Sequence, residues 1–192
     1  MRIVFCGVGA LGSTAALFCR NLEATLCFVD FDRVESKNVL AQAYVKQSIG
    51  RNKAEALKLQ FQNFHGVKTE AFGVRLVADN VEALCGSADL LVDCFDNKAS
   101  RELLSGFARK AGKPLVHAAV SGDGTFGIVR WDERFVADAE DQAGQATCEG
   151  GEHLPLIGVL GATLARAIQD FLKSSVRRDA MVSLNAVTPT AG

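Results

Sequence analysis

A net charge is the first thing this chain lacks: 21 basic against 22 acidic side chains leave −1 over 192 residues, and no cluster of Lys and Arg interleaves with aromatics. That balance gives no electrostatic pull toward a phosphate backbone, so nucleic acid is not an expected partner. Proline is scarce too, and three in the whole chain leave no room for a Pro-rich linker or tail. No apolar run reaches the roughly 20 residues that a bilayer span requires. The longest, at 154–168, carries Pro155, two glycines and Arg166, and reads as a buried helix, so no membrane contact is expected. Met1-Arg2 passes straight into an apolar run, without the basic, apolar and small-residue sections of a secretory signal, and the expected location is the cytoplasm. The six cysteines, at 6, 19, 27, 85, 94 and 148, contain no Cys-x-x-Cys pair and sit mostly in apolar runs, where free thiols behave as small buried hydrophobes.

What the chain does have is material for a core. Hydrophobic residues make up 48% and charged ones 22%, ordinary globular proportions, and the length suits a single domain over 1–192. Five apolar runs rich in β-branched or aromatic residues, at 2–6, 25–30, 67–72, 89–94 and 114–119, read as strands. Helical periodicity lies between them. The stretch 10–22 has small and apolar residues at packing spacing, 53–64 keeps Ala54, Leu57 and Phe61 on one face, and 98–111 does the same with Leu103, Leu104 and Phe107. Parallel strands need helix-sized, right-handed crossovers, so the alternation predicts an α/β fold: a Rossmann-like, doubly wound, mainly parallel sheet with its ligand beyond the carboxyl ends of the strands. After residue 119 the pattern changes. Strands are expected at 125–131 and 181–187, as antiparallel C-terminal additions, with a long apolar helix at 154–172. The acidic, glycine-containing stretch 132–152 reads as a mobile crossover loop.

The first crossover, "VFCGVGALG", carries the clearest chemistry. Gly7 and Gly9 let the backbone turn tightly and approach a phosphate or ribose, Gly12 lets the helix pack closely, and the helix N-terminus offers free N–H groups. Asp30, eighteen residues after Gly12 at the end of the second strand, suits a ribose. A dinucleotide enzyme needs nothing more, yet "DFDRVESKN" and "GRNK" add Asp32, Asn38, Gln42 and Lys53 downstream. A lysine near a helix start suits a polyphosphate. "LLVDCFDN" ends strand four with Asp96-Asn97, delivered to the same crevice. A carboxylate facing a triphosphate makes sense with Mg²⁺ between them, so ATP is favoured over NAD.

The motifs "GVGALG", "VDFDRVESKN", "IGRNKAEAL", "LLVDCFDNKASR", "KPLVHAAVSGDGTFG" and "LPLIGVLGATLARAIQDFL", in this order over 1–187, resemble the ThiF/MoeB/HesA-type adenylyltransferase superfamily. Its members include the adenylyltransferases of sulfur carriers and the ubiquitin-activating enzymes. The resemblance implies ATP-dependent adenylation of the C-terminal carboxylate of a small ubiquitin-like or sulfur-carrier protein with a Gly-Gly tail, by a homodimer. It places Asp30 at the ribose, Asn38 and Lys53 at the phosphates, and Asp96 at the magnesium and α-phosphate, with Gly9, Ala10 and Asn97 lining the pocket. Lys53 and Asp96 would then be the catalytic pair. Two readings stay open for Asp32, which either caps the turn after strand two or meets the ligand, and for Asn97, which can cap the helix that follows. Arg101 reads as an anchor for a loop or carboxylate, His65 as a surface residue, and His117 as a strand residue with a satisfied ring.

The chain also departs from the superfamily pattern. Ala41 stands where an arginine usually precedes the Gln, and with strand one at the start of the sequence the superfamily's preceding helix and its arginine are not expected; Arg51 offers one substitute cation. The paired cysteines of a four-thiolate zinc are absent, and no structural zinc is expected. Cys148, in the loop before "LPLIGVLG", could accept the activated carrier as a thioester or acyl disulfide. Two alternatives to the carrier-activating enzyme stand beside it: a relative that adenylates a small-molecule, peptide or tRNA carboxylate, and an ATP-binding scaffold with weakened catalysis that docks a carrier.

Overall fold

The computed structural model describes residues 1–136, 153–184 and 186–189. Its frame is one eight-stranded sheet in the order β3-β2-β1-β4-β5-β6-β7-β8. The strands are β1 (Arg2–Cys6), β2 (Thr25–Val29), β3 (Glu70–Phe72), β4 (Leu90–Asp93), β5 (Leu115–Val120), β6 (Phe126–Trp131), β7 (Ala180–Ser183) and β8 (Val187–Pro189). The first five run parallel and the last three are added antiparallel. Strand order reverses between β1 and β4, the switch point at which a crevice opens beyond the strand ends.

Both faces are covered, which explains why the parallel strands read as unbroken apolar runs. Ile3 and Phe5 of β1 join one core layer with α1 (Ala10–Phe18), α2 (Lys53–His65) and α5 (Leu154–Ser174). Val4 and Cys6, one residue out of phase, join the other with α3 (Val81–Cys85) and α4 (Lys98–Ala111). α2 and α4 begin on asparagine caps, Asn52 and Asn97, and end on left-handed Gly66 and Gly112. In α5 a stripe of Leu156, Leu160, Leu164 and Ile168 is buried. By length and a mean hydropathy of 1.2 this helix would also suit a membrane span; the stripe packs instead on α1 and on the sheet. Close approach to α1 depends on Gly161, where an added Cβ would stand 2.9 Å from the Thr14 methyl.

Several boundaries differ from the sequence reading. α1 stops at Phe18, and β3 starts at Glu70 instead of 67 because the Val67 N–H bonds back to Phe61 and closes α2. α3 was not expected; five residues are too few to show a helical period. The strand expected over 181–187 is a hairpin, since Ser183 and Ala186 exchange hydrogen bonds and turn the chain between β7 and β8. The stretch read as a loose crossover loop, 132–152, begins pinned: Asp132–Arg134 forms a 3-10 turn, and Asp132 and Phe135 are buried. Residues 137–152, including Cys148, lie outside the described residues.

Candidate nucleotide site

β1 ends in a loop shaped by its glycines. Gly7 takes φ +83°, a left-handed conformation that favours glycine, and a Cβ there would lie 2.9 Å from the Cys94 carbonyl. A Cβ on Gly12 would stand 2.1 Å from the Gly7 oxygen, so the loop and α1 lie against one another without space for a methyl. Gly9 is different: nothing lies within 4 Å of its Cβ position. It is the N-cap of α1 and has no side chain to satisfy the helix's first N–H groups. An open, uncapped helix start next to a bare backbone is where an anion is bound most readily. Ala10, the first helical residue, is buried.

From one side the loop is held by the end of β2. Asp30, buried, accepts the Val8 N–H at 2.8 Å and the Asp32 N–H at 2.9 Å. Burial pushes its carboxyl above the ordinary value, against the opposing pull of those N–H groups and of Lys53. The turn after β2 is therefore held by Asp30, and the carboxylate of Asp32 does something else: it pairs with Lys53 Nζ at 3.1 Å. Lys53 opens α2, its side chain only 11% exposed against 48% for Asp32, so its ammonium is presented at a largely enclosed edge. Asn52 stitches this edge together by donating to the Asp30 and Asp32 carbonyls at 2.8 and 3.0 Å while capping α2. Asn38 is buried, and its amide oxygen accepts the Glu35 N–H at 2.8 Å, which shapes the 3-10 turn Ser36–Leu40. Ala41 is buried as well. Arg51 does not join Lys53; it lines a cleft of about 470 Å³ with Arg33, Gln47 and Glu55.

From the other side the loop meets the end of β4, through the Cys94 backbone against Gly7. Asp96 is exposed there, and the Asn97 side-chain nitrogen donates to it at 3.4 Å. Asn97 caps α4 through Ser100 N–H at 2.9 Å, one of the two roles left open for it. Arg101 donates to the Phe95 carbonyl and lies 4.0 Å from Asp93, the loop anchor expected of it. The fold thus brings Asp30, Asp32 and Lys53 to one flank of the Gly7–Gly9 loop and Asp96 with Asn97 to the other. Among the described residues no group of three or more His, Cys, Asp or Glu is placed to cage a metal. A lone exposed carboxylate fits the other way Mg²⁺ is held, by one or two carboxylates together with substrate phosphates and water.

Sequence reasoning missed the polar cluster under the β4 end. Asp93, fully buried, lies beside His117 on β5, its register partner, with Oδ2 2.7 Å from Nδ1. The other ring nitrogen is 2.9 Å from Asp132 Oδ1. Ser105 and Arg109 of α4 donate to Asp132 at 2.5 and 2.6 Å. Burial would lower the His117 pKa, but the hydrogen bonds and charges of Asp132 and Asp93 outweigh it and raise it. Burial would likewise raise Asp132, yet hydrogen bonds from His117, Arg109 and Ser105 bring it down to about 2. A His and an Asp inside apolar strand runs were the available signal. Tyr44 was missed too; its hydroxyl donates to the Val8 carbonyl at 2.5 Å and ties residues 41–44 to the glycine loop.

A parallel sheet whose strand order reverses at β1 and β4, with a glycine turn and an acidic β2 end at that point, defines a Rossmann-like α/β domain. The comparison with protein families is specific about which kind. The ThiF family matches residues 1–183, and the chain belongs to that family. It is 27% identical over 189 residues to the adenylyltransferase and sulfurtransferase UBA4 of Lodderomyces elongisporus, covering 93% of this chain and 42% of that protein. It is 28% identical over 175 residues to the adenylyltransferase and sulfurtransferase MOCS3 of Caenorhabditis briggsae, covering 85% and 43%. Among solved structures, PaaA superposes with a TM-score of 0.77 at 17% identity, covering 98% of this chain and 63% of that one. Escherichia coli MccB with ATP superposes with a TM-score of 0.76 at 13% identity, with the same two coverages. At such identities the structural likeness shows the fold. The chain spans less than half the length of these curated relatives.

Proposed function

We propose that this chain is an ATP-dependent adenylyltransferase that activates the C-terminal carboxylate of a small ubiquitin-like or sulfur-carrier protein with a Gly-Gly tail, and that it acts as a homodimer in the cytoplasm. One observation carries the reading: an uncapped helix start with open space at Gly9 is flanked by a nearly buried lysine on one side and an exposed aspartate on the other. A dinucleotide would use the glycine loop and Asp30, and would leave Lys53 and Asp96 without work. Relatives named adenylyltransferases supply the reaction class. The five free cysteines among the described residues suit a reducing compartment.

In the proposed reaction a carrier carboxylate oxygen attacks the α-phosphorus of ATP, a new P–O bond forms, and the α–β bridging bond breaks to release pyrophosphate. Both reactants are anions, so placement and charge neutralisation supply most of the acceleration. The carboxylate is ionised at neutral pH and no general base is required. Lys53 neutralises the phosphates in exchange for its pairing with Asp32, and Asp30, with two of its roughly four acceptor positions engaged by Val8 and Asp32, retains acceptor capacity for the ribose hydroxyls. Asp96 would hold Mg²⁺ together with the phosphates, where the ion supplies Lewis-acid polarisation and charge neutralisation.

ATP–pyrophosphate exchange measured with and without candidate carriers ending in Gly-Gly tests the proposal. Exchange that requires a carrier and is lost in Asp96→Asn supports it; preference for a nicotinamide dinucleotide over ATP defeats it. A second reading, a nucleotide-binding scaffold that docks a carrier, draws on the buried alanine at position 41, where no cation can serve the phosphates. ATP binding without exchange in the presence of every carrier tried would select that reading.

A further inference from the structure

The cluster around His117 joins two segments that are far apart in sequence, and does so through a single ring. On its Nδ1 side, Asp93 Oδ2 is 2.7 Å away, and the other oxygen of that carboxylate accepts the Phe95 N–H at 2.9 Å. Phe95 lies in the short connection that carries Asp96 and Asn97 from β4 into α4, and Arg101 grips the Phe95 carbonyl. On the Nε2 side, Asp132 Oδ1 is 2.9 Å away, and Arg109 bonds both Asp132 and the Phe135 carbonyl, the latter at 3.3 Å. The Phe135 ring then stacks on the imidazole, centroids 3.7 Å apart and planes 10° apart. A carboxylate at each nitrogen calls for two N–H donors, which only the protonated ring has. The groups facing it are Asp93 of β4, Asp132 of the turn after β6, and Arg101, Ser105 and Arg109 of α4, so two negative charges meet two arginines and one imidazolium. Such a set is costly to break at Asp93, His117 or Asp132, because these three are buried and the loss of one leaves the others with unmatched charge.

We propose that His117 is a positioning residue: by bridging Asp93 and Asp132 it locks the Phe95–Asp96–Asn97 connection to the Asp132–Phe135 segment, so that the placement of Asp96 depends on a contact made across the sheet. The inference rests on the adenylating role assigned above for its catalytic consequence, but the coupling itself is a property of the ligand-free chain. His117 touches no expected substrate atom. It acts on Asp96 only through Asp93 and the Phe95 amide, as hydrogen-bonded neighbours orient the ligands of a metal and change its affinity by about 10–100-fold when removed.

The test uses the full chain with His117→Phe, which keeps the stack and removes both nitrogens, His117→Gln, which restores part of the hydrogen bonding, and Asp132→Asn, which leaves the Asp93 side intact and weakens the far contact together with those of Ser105 and Arg109. Amide hydrogen exchange in the ligand-free proteins is read at Phe95 and Phe135. Both amides are expected to exchange at least about tenfold faster in His117→Phe, and Asp132→Asn is expected to loosen Phe95 as well as Phe135. The Mg²⁺ concentration for half-maximal pyrophosphate exchange should rise by about tenfold or more, with partial recovery in His117→Gln. If His117→Phe does not fold, the other two variants decide. An unchanged Phe95 amide overturns the coupling, and faster amides with an unchanged Mg²⁺ requirement in an active protein overturn the positioning role. A wild-type chain that shows no exchange with any carrier counts against the adenylating role instead, and the amide rates still decide whether the bridge couples the two segments.

Discussion

At the scale of single residues the glycine loop separates two requirements that one motif string hides. Gly12→Ala forces a methyl onto the Gly7 carbonyl, and such overpacking costs about 1–3 kcal/mol; a fall in melting temperature of several degrees is expected. Gly9→Ala meets open space. Its melting temperature should stay near that of the parent, while ATP affinity measured by calorimetry falls, since the methyl occupies the approach to the helix start. Equal destabilisation of the two variants would refute this division. Lys53→Met makes a parallel case. The pair with half-exposed Asp32 contributes only about 0–1 kcal/mol, so stability should hardly change. Pyrophosphate exchange, by contrast, should drop by about 10² or more, the scale of losing one charge-stabilising donor. Gly7, Gly12 and Asp30 were legible from sequence because backbone sterics and a strand end leave few other residue types. The split of labour between Asp30 and Asp32 was not, because both sit in one turn and only the direction of each carboxylate tells them apart.

At the scale of elements, the start of α4 serves the helix and the site together. Asn97→Ala removes the cap on Ser100 N–H and should cost about 1 kcal/mol, or roughly 2–4 °C in a chain of this size. It also frees the Asp96 neighbour, so the Mg²⁺ requirement for exchange should rise beyond what the lost stability explains; a change in melting alone would reduce Asn97 to a cap. The join of α4, β4, β5 and the 3-10 turn after β6 carries a pH signature. Asp132 is held at about 2, below its ordinary 3.8, so its share of stability is complete above pH 3.8 and is lost as the pH falls toward 2. His117 is raised above its ordinary 6.5, so its share is complete below that value and is lost as the pH rises through the folded pKa. Thermal melts across pH should therefore decline on the alkaline side of about 6.5, and His117→Gln should flatten that decline. An identical alkaline slope in the variant would show that the ring does not carry this charge. Helices with an asparagine cap, α2 and α4, or a long apolar stripe, α5, were readable in the sequence. α3 and the β7–β8 hairpin were not, because five helical residues show no period and the turn at Ser183 is made by one backbone bond and one bond to its own hydroxyl, which form only once β7 pairs with β6.

At the scale of the whole molecule, the sheet places its chemistry at one edge by topology: β1, β2 and β4 run parallel and adjacent, so their last residues arrive together. The homodimer proposed for the enzyme predicts a sedimentation mass about twice that of the chain, unaltered by ATP; a monomer at working concentration would remove it. The sequence alone determined the alternation of strand and helix, the parallel sheet that must follow from it, and the glycine turn with its acidic partner, because these depend on local sterics and on short-range hydrophobic period. Only the tertiary structure decided that Lys53 is shielded beside Asp32, that the crossover stretch starts pinned at Asp132, and that His117 sits between two carboxylates. Those facts depend on which side chains meet across strands that are distant in the chain, and burial, which sets their charge and pairing, exists only once the sheet and its covering helices have closed around them.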